Sequence, residues 1–150
     1  MNQFMERALD LAEKNVRDGG QPFGAVLVKD GKIVAEGVNE LHHTYDISGH
    51  AEMLAIRKTQ SELQTHDLSE YTMYASGEPC PMCLAAMYLS GMKQGFYCVS
   101  IETAAEAGLG ISKTIYTDFK KSRSERKLSM QQIPLEKEQE NPLKKWQEKQ

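Results

Sequence analysis

Two short stretches, His50-Ala51-Glu52 and Cys80-Pro81-Met82-Cys83, constrain the fold of this chain more than any other feature of its sequence. Each lies where an apolar run with helical spacing begins, so each is predicted to open a separate helix. The Cys-x-x-Cys spacing lets two thiolates bind one metal ion, and the chain has no second such pair to complete a four-ligand structural site. A fold that uses these residues must bring two helix starts to one place.

His50 is the predicted third metal ligand beside Cys80 and Cys83. Three protein ligands with one open position is the pattern of catalytic zinc sites. The positive ends of the two helix dipoles favour negative charge there and lower thiol pKa values. Glu52, two residues after His50, is the predicted catalytic base. The alternative is a carboxylate that only complements the helix dipole.

The other cysteine and histidines are given ordinary structural roles. Cys98 lies within an apolar strand pattern and is predicted to be a small buried side chain rather than a ligand. Ordinary surface positions are predicted for His42, His43 and His66. Two other interpretations of the cysteine pair stay open: a thioredoxin-like redox pair, which leaves His50 and Glu52 without a role, and a non-catalytic zinc scaffold.

The pattern predicts the order helix, hairpin, helix, strand, helix, strand. The first helix is amphipathic and ends at Gly19-Gly20, and Asp30-Gly31 marks the hairpin turn. Ser48 is the predicted cap of a helix from about His50 to Leu63. Strands are predicted over 71–77 and 95–100, with a helix between them that Gly91 ends. Strands joined through helices usually become parallel neighbours.

Beyond residue 102 the pattern is weaker. Residues 102–108 are predicted to form a helical turn, and the charged residues 120–127 a solvated loop or helix face. A short strand is predicted over 131–136. The C-terminus is predicted to be a helix that begins near Pro142 and is anchored by Trp146.

Length and charge narrow the class of protein. Residues 1–150 are expected to form a single domain, because 150 residues is a usual domain size. The net charge of −3 makes nucleic acid an unlikely partner and favours a small-molecule substrate, since binders of long nucleic acids normally carry a basic excess. No membrane contact is expected, because apolar runs stay below the roughly 18 residues of a span.

Three cysteines, two of them three positions apart, make a poor disulfide framework and indicate a reducing compartment. The N-terminus is charged and amphipathic, unlike a signal peptide. A cytoplasmic location is therefore expected.

Together the two stretches match the H-x-E…P-C-x-x-C signature of zinc-dependent nucleobase and nucleoside deaminases. The chain resembles this cytidine/deoxycytidylate deaminase superfamily, and residues 22–39 and 83–91 look like its hairpin and second metal helix. The resemblance implies an α/β fold, a three-layer α-β-α sandwich with a central mixed sheet. It implies Zn²⁺ held by His50, Cys80 and Cys83, and hydrolytic deamination of an aminated nucleobase by zinc-activated water. Glu52 then moves protons from water to the ring nitrogen and the leaving amine.

The resemblance also implies substrate contacts. Asn39 lies where family members place an amide that hydrogen-bonds the substrate, although a turn residue is an equal alternative. The other implied contacts are Phe23, the backbone N–H of Ala51, and the backbone carbonyls of Ser76 and Glu78, which receive departing ammonia.

Among family members, bacterial guanine deaminases look most similar, through residues 71–83, residues 102–108 and a late tryptophan. Guanine, converted to xanthine, is therefore the expected substrate. The chain departs from them where "LGISK" lacks a carboxylate and where it stops four residues after Trp146. Asp118 or Glu106 are possible substitutes for that carboxylate. A tRNA-specific adenosine deaminase and a deaminase of cytosine or a related heterocycle stay open. Family members commonly assemble, so a homodimer is expected.

Overall fold

The hairpin predicted at Asp30-Gly31 is confirmed in the computed structural model, which describes all residues from 1 to 150. Strands β1 (Gly24–Lys29) and β2 (Lys32–Val38) pair antiparallel around this two-residue turn. Both turn residues have positive φ, 51° at Asp30 and 72° at Gly31, as a type I′ turn requires. The turn type matches the twist of the strands that it joins.

Two further strands complete a mixed sheet in the order β2-β1-β3-β4. Strand β3 (Thr72–Gly77) pairs antiparallel with β1, and β4 (Gln94–Val99) pairs parallel with β3. The parallel pair needs a crossover connection, which helix α4 (Pro81–Leu89) provides.

Helices cover both faces of this sheet. Helix α1 (Gln3–Arg17) packs on one face, and helix α3 (Ala51–Leu63) packs with α4 on the other. The packing is close enough that glycine is required on each face: a Cβ on Gly24 would lie 2.5 Å from the Ala8 carbonyl oxygen of α1, and one on Gly37 would overlap the Ala51 carbonyl of α3. The predicted three-layer α-β-α sandwich with a central mixed sheet is confirmed.

The main core lies between the sheet and α3 with α4. Its fully buried side chains include Leu27 of β1, Met73 of β3 and Ala55 of α3. Burial of this apolar face, worth about 25 cal/mol per Å², fixes α3 against β1 and β2. The core therefore holds the start of α3 against the sheet, where the predicted metal ligand His50 lies.

Four more elements complete the chain: α2 (Leu41–Thr44), α5 (Ile101–Glu106), α6 (Ile111–Phe119) and α7 (Pro142–Glu148). The predicted helical turn after residue 102 is confirmed as α5, and the terminal helix as α7. Helix α6 was not predicted. The chain divides into two compact units, Met1–Thr117 and Asp118–Gln150.

Several predictions are wrong. His50 itself caps α3, while the Ser48 hydroxyl donates to Asp46 Oδ1 at 2.7 Å in the preceding loop. Cys98 is exposed, because helices cover little of β4 at this edge of the sheet. The ring nitrogens of His42 are buried without a hydrogen-bond partner, so this residue is not an ordinary surface histidine.

Two predictions in the second unit also fail. Residues 131–136 form no strand, and Trp146 is 64% exposed rather than an anchor. The charged residues 120–127 are mostly exposed, as predicted, and contain one 3-10 turn, Arg123–Glu125.

Candidate functional site

The starts of α3 and α4 bring His50, Cys80 and Cys83 into one cluster. His50 is the N-cap of α3, and Cys80 is the N-cap of α4, where its sulfur accepts the backbone N–H of Cys83 at 3.4 Å. The Nδ1 atom of His50 lies 3.4 Å from Cys80 Sγ and 3.6 Å from Cys83 Sγ. The three potential ligand atoms all lie within 4.8 Å of one another.

These distances fit a tetrahedral zinc ion. With Zn–S of about 2.3 Å, Zn–N of about 2.05 Å and a tetrahedral angle, the ligand nitrogen and sulfur lie about 3.6 Å apart. The distances of 3.4 and 3.6 Å in the structure agree with that spacing. Two sulfurs and one imidazole nitrogen leave a fourth tetrahedral corner for a small molecule, so the residues present could hold a catalytic zinc ion.

The protonation of the two thiols also points to a cation. A hydrogen bond from the Cys83 thiol to the Cys80 sulfur lowers the pKa of Cys80 and raises the pKa of Cys83. The hydrogen bond between His50 and the Cys80 sulfur raises the pKa of the imidazole. One thiolate is thus stable in the metal-free cluster, whereas ionising the second requires a positive charge beside it.

Glu52 is a buried carboxyl group beside this cluster, on the first turn of α3. Its residue is 7% exposed, and burial raises the pKa of its side chain to about 7. A carboxylate that only complemented the helix dipole would have a lowered pKa, because the positive end of the helix favours its charged form. A pKa near neutrality suits a group that both takes up and releases a proton.

A cavity of about 140 Å³ lies in front of His50, Glu52 and Cys80. Of the predicted substrate contacts, Phe23, Asn39 and Glu78 line it. Sequence reasoning missed further lining residues: Gln21, Ile101, Leu109, Ile111 and Ser112. The last two come from α6, whose short, glycine-preceded pattern gave little signal.

Asn39 is held by hydrogen bonds on three sides and is 1% exposed. Its Oδ1 accepts the backbone N–H of Leu41 at 3.0 Å, and its Nδ2 donates to Gln21 Oε1 at 3.4 Å. Its backbone carbonyl accepts from Asn15 Nδ2 at 2.9 Å. Asn39 is therefore both a turn residue and a cavity residue, and the two interpretations are compatible.

Phe23, Gly77 and Glu78 line the same cavity. A Cβ on Gly77 would come within 2.9 Å of the Phe23 ring, so the glycine makes room for that ring. The Glu78 carboxylate accepts the backbone N–H of Ile101 at 3.2 Å and so fixes the start of α5 beside the cavity.

Ser76 and Ala51 do not line the cavity with their side chains. The Ser76 hydroxyl accepts the Gly24 backbone N–H at 2.9 Å and links β3 to β1. Ala51 is fully buried as the first residue of α3, where a helix N–H has no intrahelical acceptor. Their backbone roles stay predictions.

Tyr116 of α6 supports the loop that carries the thiols, and sequence reasoning missed it. Its hydroxyl donates to the Pro79 carbonyl at 2.7 Å, one residue before Cys80. Burial raises the pKa of this phenol to about 12, so it remains a donor at neutral pH.

None of the helices is both long enough and apolar enough to cross a bilayer.

Comparison with known proteins agrees with this site. Residues 1–99 match the family described as the cytidine and deoxycytidylate deaminase zinc-binding region. The chain is 43% identical over 144 residues to the guanine deaminase of Bacillus subtilis, covering 95% of this chain and 91% of that protein. The X-ray structure of the Bacillus subtilis guanine deaminase matches with a TM-score of 0.90 and 42% identity, covering 99% and 95% of the two chains. A tRNA-specific adenosine deaminase of Aquifex aeolicus is 36% identical over 91 residues, 61% of this chain and 60% of that protein.

Proposed function

The chain belongs to the cytidine and deoxycytidylate deaminase family, and from that premise we propose that it is a zinc-dependent hydrolase that converts guanine to xanthine and releases ammonia. The observation that carries the chemistry is the cluster of one imidazole and two thiols next to a buried carboxyl with a pKa near 7. The observation that favours guanine is the similarity to a guanine deaminase along nearly the whole chain.

His50, Cys80 and Cys83 are the residues that would hold the zinc ion. When bound there, zinc supplies a Lewis acid that lowers the pKa of a coordinated water molecule. The helix dipoles of α3 and α4 stabilise the thiolates, and Tyr116 holds the Pro79 carbonyl beside them. The convergence of the imidazole with both sulfurs favours this role over a redox pair.

Glu52 is the proton carrier in this proposal. Its carboxylate takes a proton from the attacking water and delivers it to the ring nitrogen next to the carbon that bears the amine. It then transfers the remaining hydroxyl proton to the amine, which leaves as ammonia while the carbon keeps the oxygen. Burial raises the pKa of this carboxyl, which favours a group that can release a proton as well as take one up.

The cavity residues orient the base in front of Glu52. Phe23 provides an aromatic face, and the second Nδ2 hydrogen of Asn39 is available to a substrate acceptor. The backbone N–H of Ala51 and the carbonyls of Ser76 and Glu78 complete the proposed contacts. The side of the cavity formed by Ile111 and Ser112 of α6 has no carboxylate. Guanine must therefore be held without an acidic side chain from this segment.

A tRNA substrate is the second candidate. The similarity to the Aquifex tRNA deaminase spans 61% of this chain, and the net charge of −3 gives no basic surplus for phosphate contacts. This hypothesis predicts salt-sensitive binding to an anticodon stem-loop. A mobility-shift titration at two salt concentrations separates it from the free-base hypothesis, for which no shift is expected. Cytosine or a related heterocycle is the third candidate and enters the same substrate panel.

The decisive experiment is an ammonia-release screen with zinc-loaded protein. Guanine, adenine, cytosine and their nucleosides are compared, and xanthine formation is followed by absorbance. Glu52→Gln is the matched control, because it keeps the size and polarity of the side chain while removing proton transfer. We expect guanine to be the preferred substrate and the variant to retain zinc but lose activity about 10³-fold or more. Activity that is absent on every base, or unchanged in Glu52→Gln, contradicts the proposal.

The proposal also includes the oligomeric state, a homodimer, and a cytoplasmic location. Strand β4 is a sheet edge exposed at every position, and it presents Phe96, Tyr97 and Val99 to solvent. Exposed apolar edges of this kind pair with other chains. Light scattering should give about twice the chain mass of 16.9 kDa. Tyr97→Lys should shift the protein toward monomer, and a wild-type monomer contradicts the proposed assembly. The proposed cytoplasmic location is supported by the cysteine content, which suits a reducing compartment. Cell fractionation tests this location.

A further inference from the structure

Gln21 is a polar cavity residue to which no motif assigns a role. It lies in the loop between α1 and β1, is half-buried, and lines the cavity together with Asn39 and Glu52. Resting on the proposed function, we propose that Gln21 is a specificity-determining residue whose side-chain NH₂ group donates a hydrogen bond to the carbonyl oxygen of the bound base.

The orientation of the Gln21 amide follows from one backbone group. The N–H of Leu41 can only donate, so the atom of Asn39 that faces it is the oxygen Oδ1, at 3.0 Å. The Nδ2 of Asn39 therefore faces Gln21, which must present its acceptor Oε1, at 3.4 Å. The Nε2 group of Gln21 is left with its two hydrogens for a ligand.

The loop that carries Gln21 is fixed by Asn15 of α1. Asn15 is 5% exposed, and its Nδ2 donates to two backbone carbonyls, that of Gln21 at 2.8 Å and that of Asn39 at 2.9 Å. The Gly20 backbone N–H donates in return to the Asn15 carbonyl at 2.8 Å. This buried amide ties the two loops together and so fixes the backbone of Gln21 relative to that of Asn39.

A donor at this position distinguishes purines that share the same leaving amine. Guanine has a ring carbonyl oxygen that can accept from Gln21. In 2-aminopurine that oxygen is missing, so the Gln21 donor stays unpaired. In 2,6-diaminopurine an amino group takes its place and sets donor against donor, which is costlier than a missing partner. The side chain therefore favours oxopurines over aminopurines.

The test compares kcat/KM on these three bases for the wild type, Gln21→Leu and Gln21→Glu. Wild type should prefer guanine over 2-aminopurine and 2-aminopurine over 2,6-diaminopurine. Gln21→Leu should lower kcat/KM for guanine about 10-fold, one net hydrogen bond, and leave 2-aminopurine within about 2-fold. Gln21→Glu replaces the donor by an acceptor and should raise the ratio of 2,6-diaminopurine to guanine about 10-fold or more.

Each outcome decides between the hypotheses. A uniform loss on all three bases in both variants would assign Gln21 a structural role and overturn the inference. Loss of bound zinc in both variants would also overturn the inference, and so would unchanged ratios of kcat/KM among the three bases. A wild-type protein that deaminates none of the three purines refutes the proposed function itself, and the inference with it. An active wild type with unchanged ratios in the variants refutes the inference alone.

Discussion

Adding one methyl group at Gly37 should damage the metal site as well as lower the stability of the fold. It lies on β2, directly beneath the first turn of α3. A Cβ there would overlap the Ala51 carbonyl oxygen and lie 3.1 Å from its carbonyl carbon and 3.2 Å from Ala55 N. These are backbone atoms and cannot rotate away, so Gly37→Ala must push the start of α3 off the sheet.

Gly24 provides a matched control on the other face. Its Cβ would lie 2.5 Å from the Ala8 carbonyl oxygen, 0.5 Å short of the 3.0 Å below which such contacts are essentially never found. The displaced element is then the middle of α1, which holds no metal ligand. Overpacking of this kind typically costs about 1–3 kcal/mol, so both variants should lose that much stability.

The two variants should differ in function. In Gly37→Ala the displaced turn carries Glu52 and adjoins His50, and a misplacement of about 1 Å can cost about 100-fold in rate. Thermal unfolding, bound zinc per chain and kcat/KM on guanine are measured for both. We expect similar losses of stability, with zinc affinity reduced far more in Gly37→Ala. Equal losses of bound zinc, or a fully active Gly37→Ala, would refute the argument that β2 positions the metal centre.

Three other perturbations follow from single contacts. Burial raises the pKa of Glu52 from 4.5 to about 7, so between these pH values the metal-free folded state binds a proton that the unfolded state has released, and the free energy of unfolding falls by about 3 kcal/mol as pH rises through this range. In denaturant titrations with chelator, Glu52→Gln should lack this fall, and parallel pH profiles of the two proteins would disprove it. Tyr116→Phe leaves the Pro79 carbonyl without its donor and should cost about 1–3 kcal/mol with faster zinc loss to a chelator, whereas an unchanged off-rate argues against support of the thiol loop. Glu36→Gln breaks the half-exposed pair with Arg7 and should cost at most about 1 kcal/mol, less at high salt; a larger, salt-independent loss would contradict a surface role.

The parts of the fold that sequence predicted are those specified by local rules. Asp30-Gly31 fixes a hairpin because few residues accept positive φ at both positions, and the apolar period of α1 fixes its buried face. Ser48 and Trp146 were misassigned because their local patterns are common while their partners are set by tertiary structure. Cys98 was misassigned for a related reason: its strand has an apolar pattern, but the sheet ends there, and an edge position leaves no trace in a single strand's sequence.

The residues of the site also fall into predictable and unpredictable groups, and the difference lies in how they affect the free energy of folding. The buried carboxyl of Glu52 opposes folding at neutral pH because its charged form loses hydration, and the Cys83 thiol resists ionisation without a cation nearby. Residues that cost stability stand out from a sequence because only chemistry accounts for them. Ile101, Leu109 and Ile111 do the opposite: they line the cavity beside Glu52 with side chains that any core would accept. Reactivity was therefore predictable from residue types and spacing, whereas substrate choice depends on which ordinary residues the fold brings to the cavity.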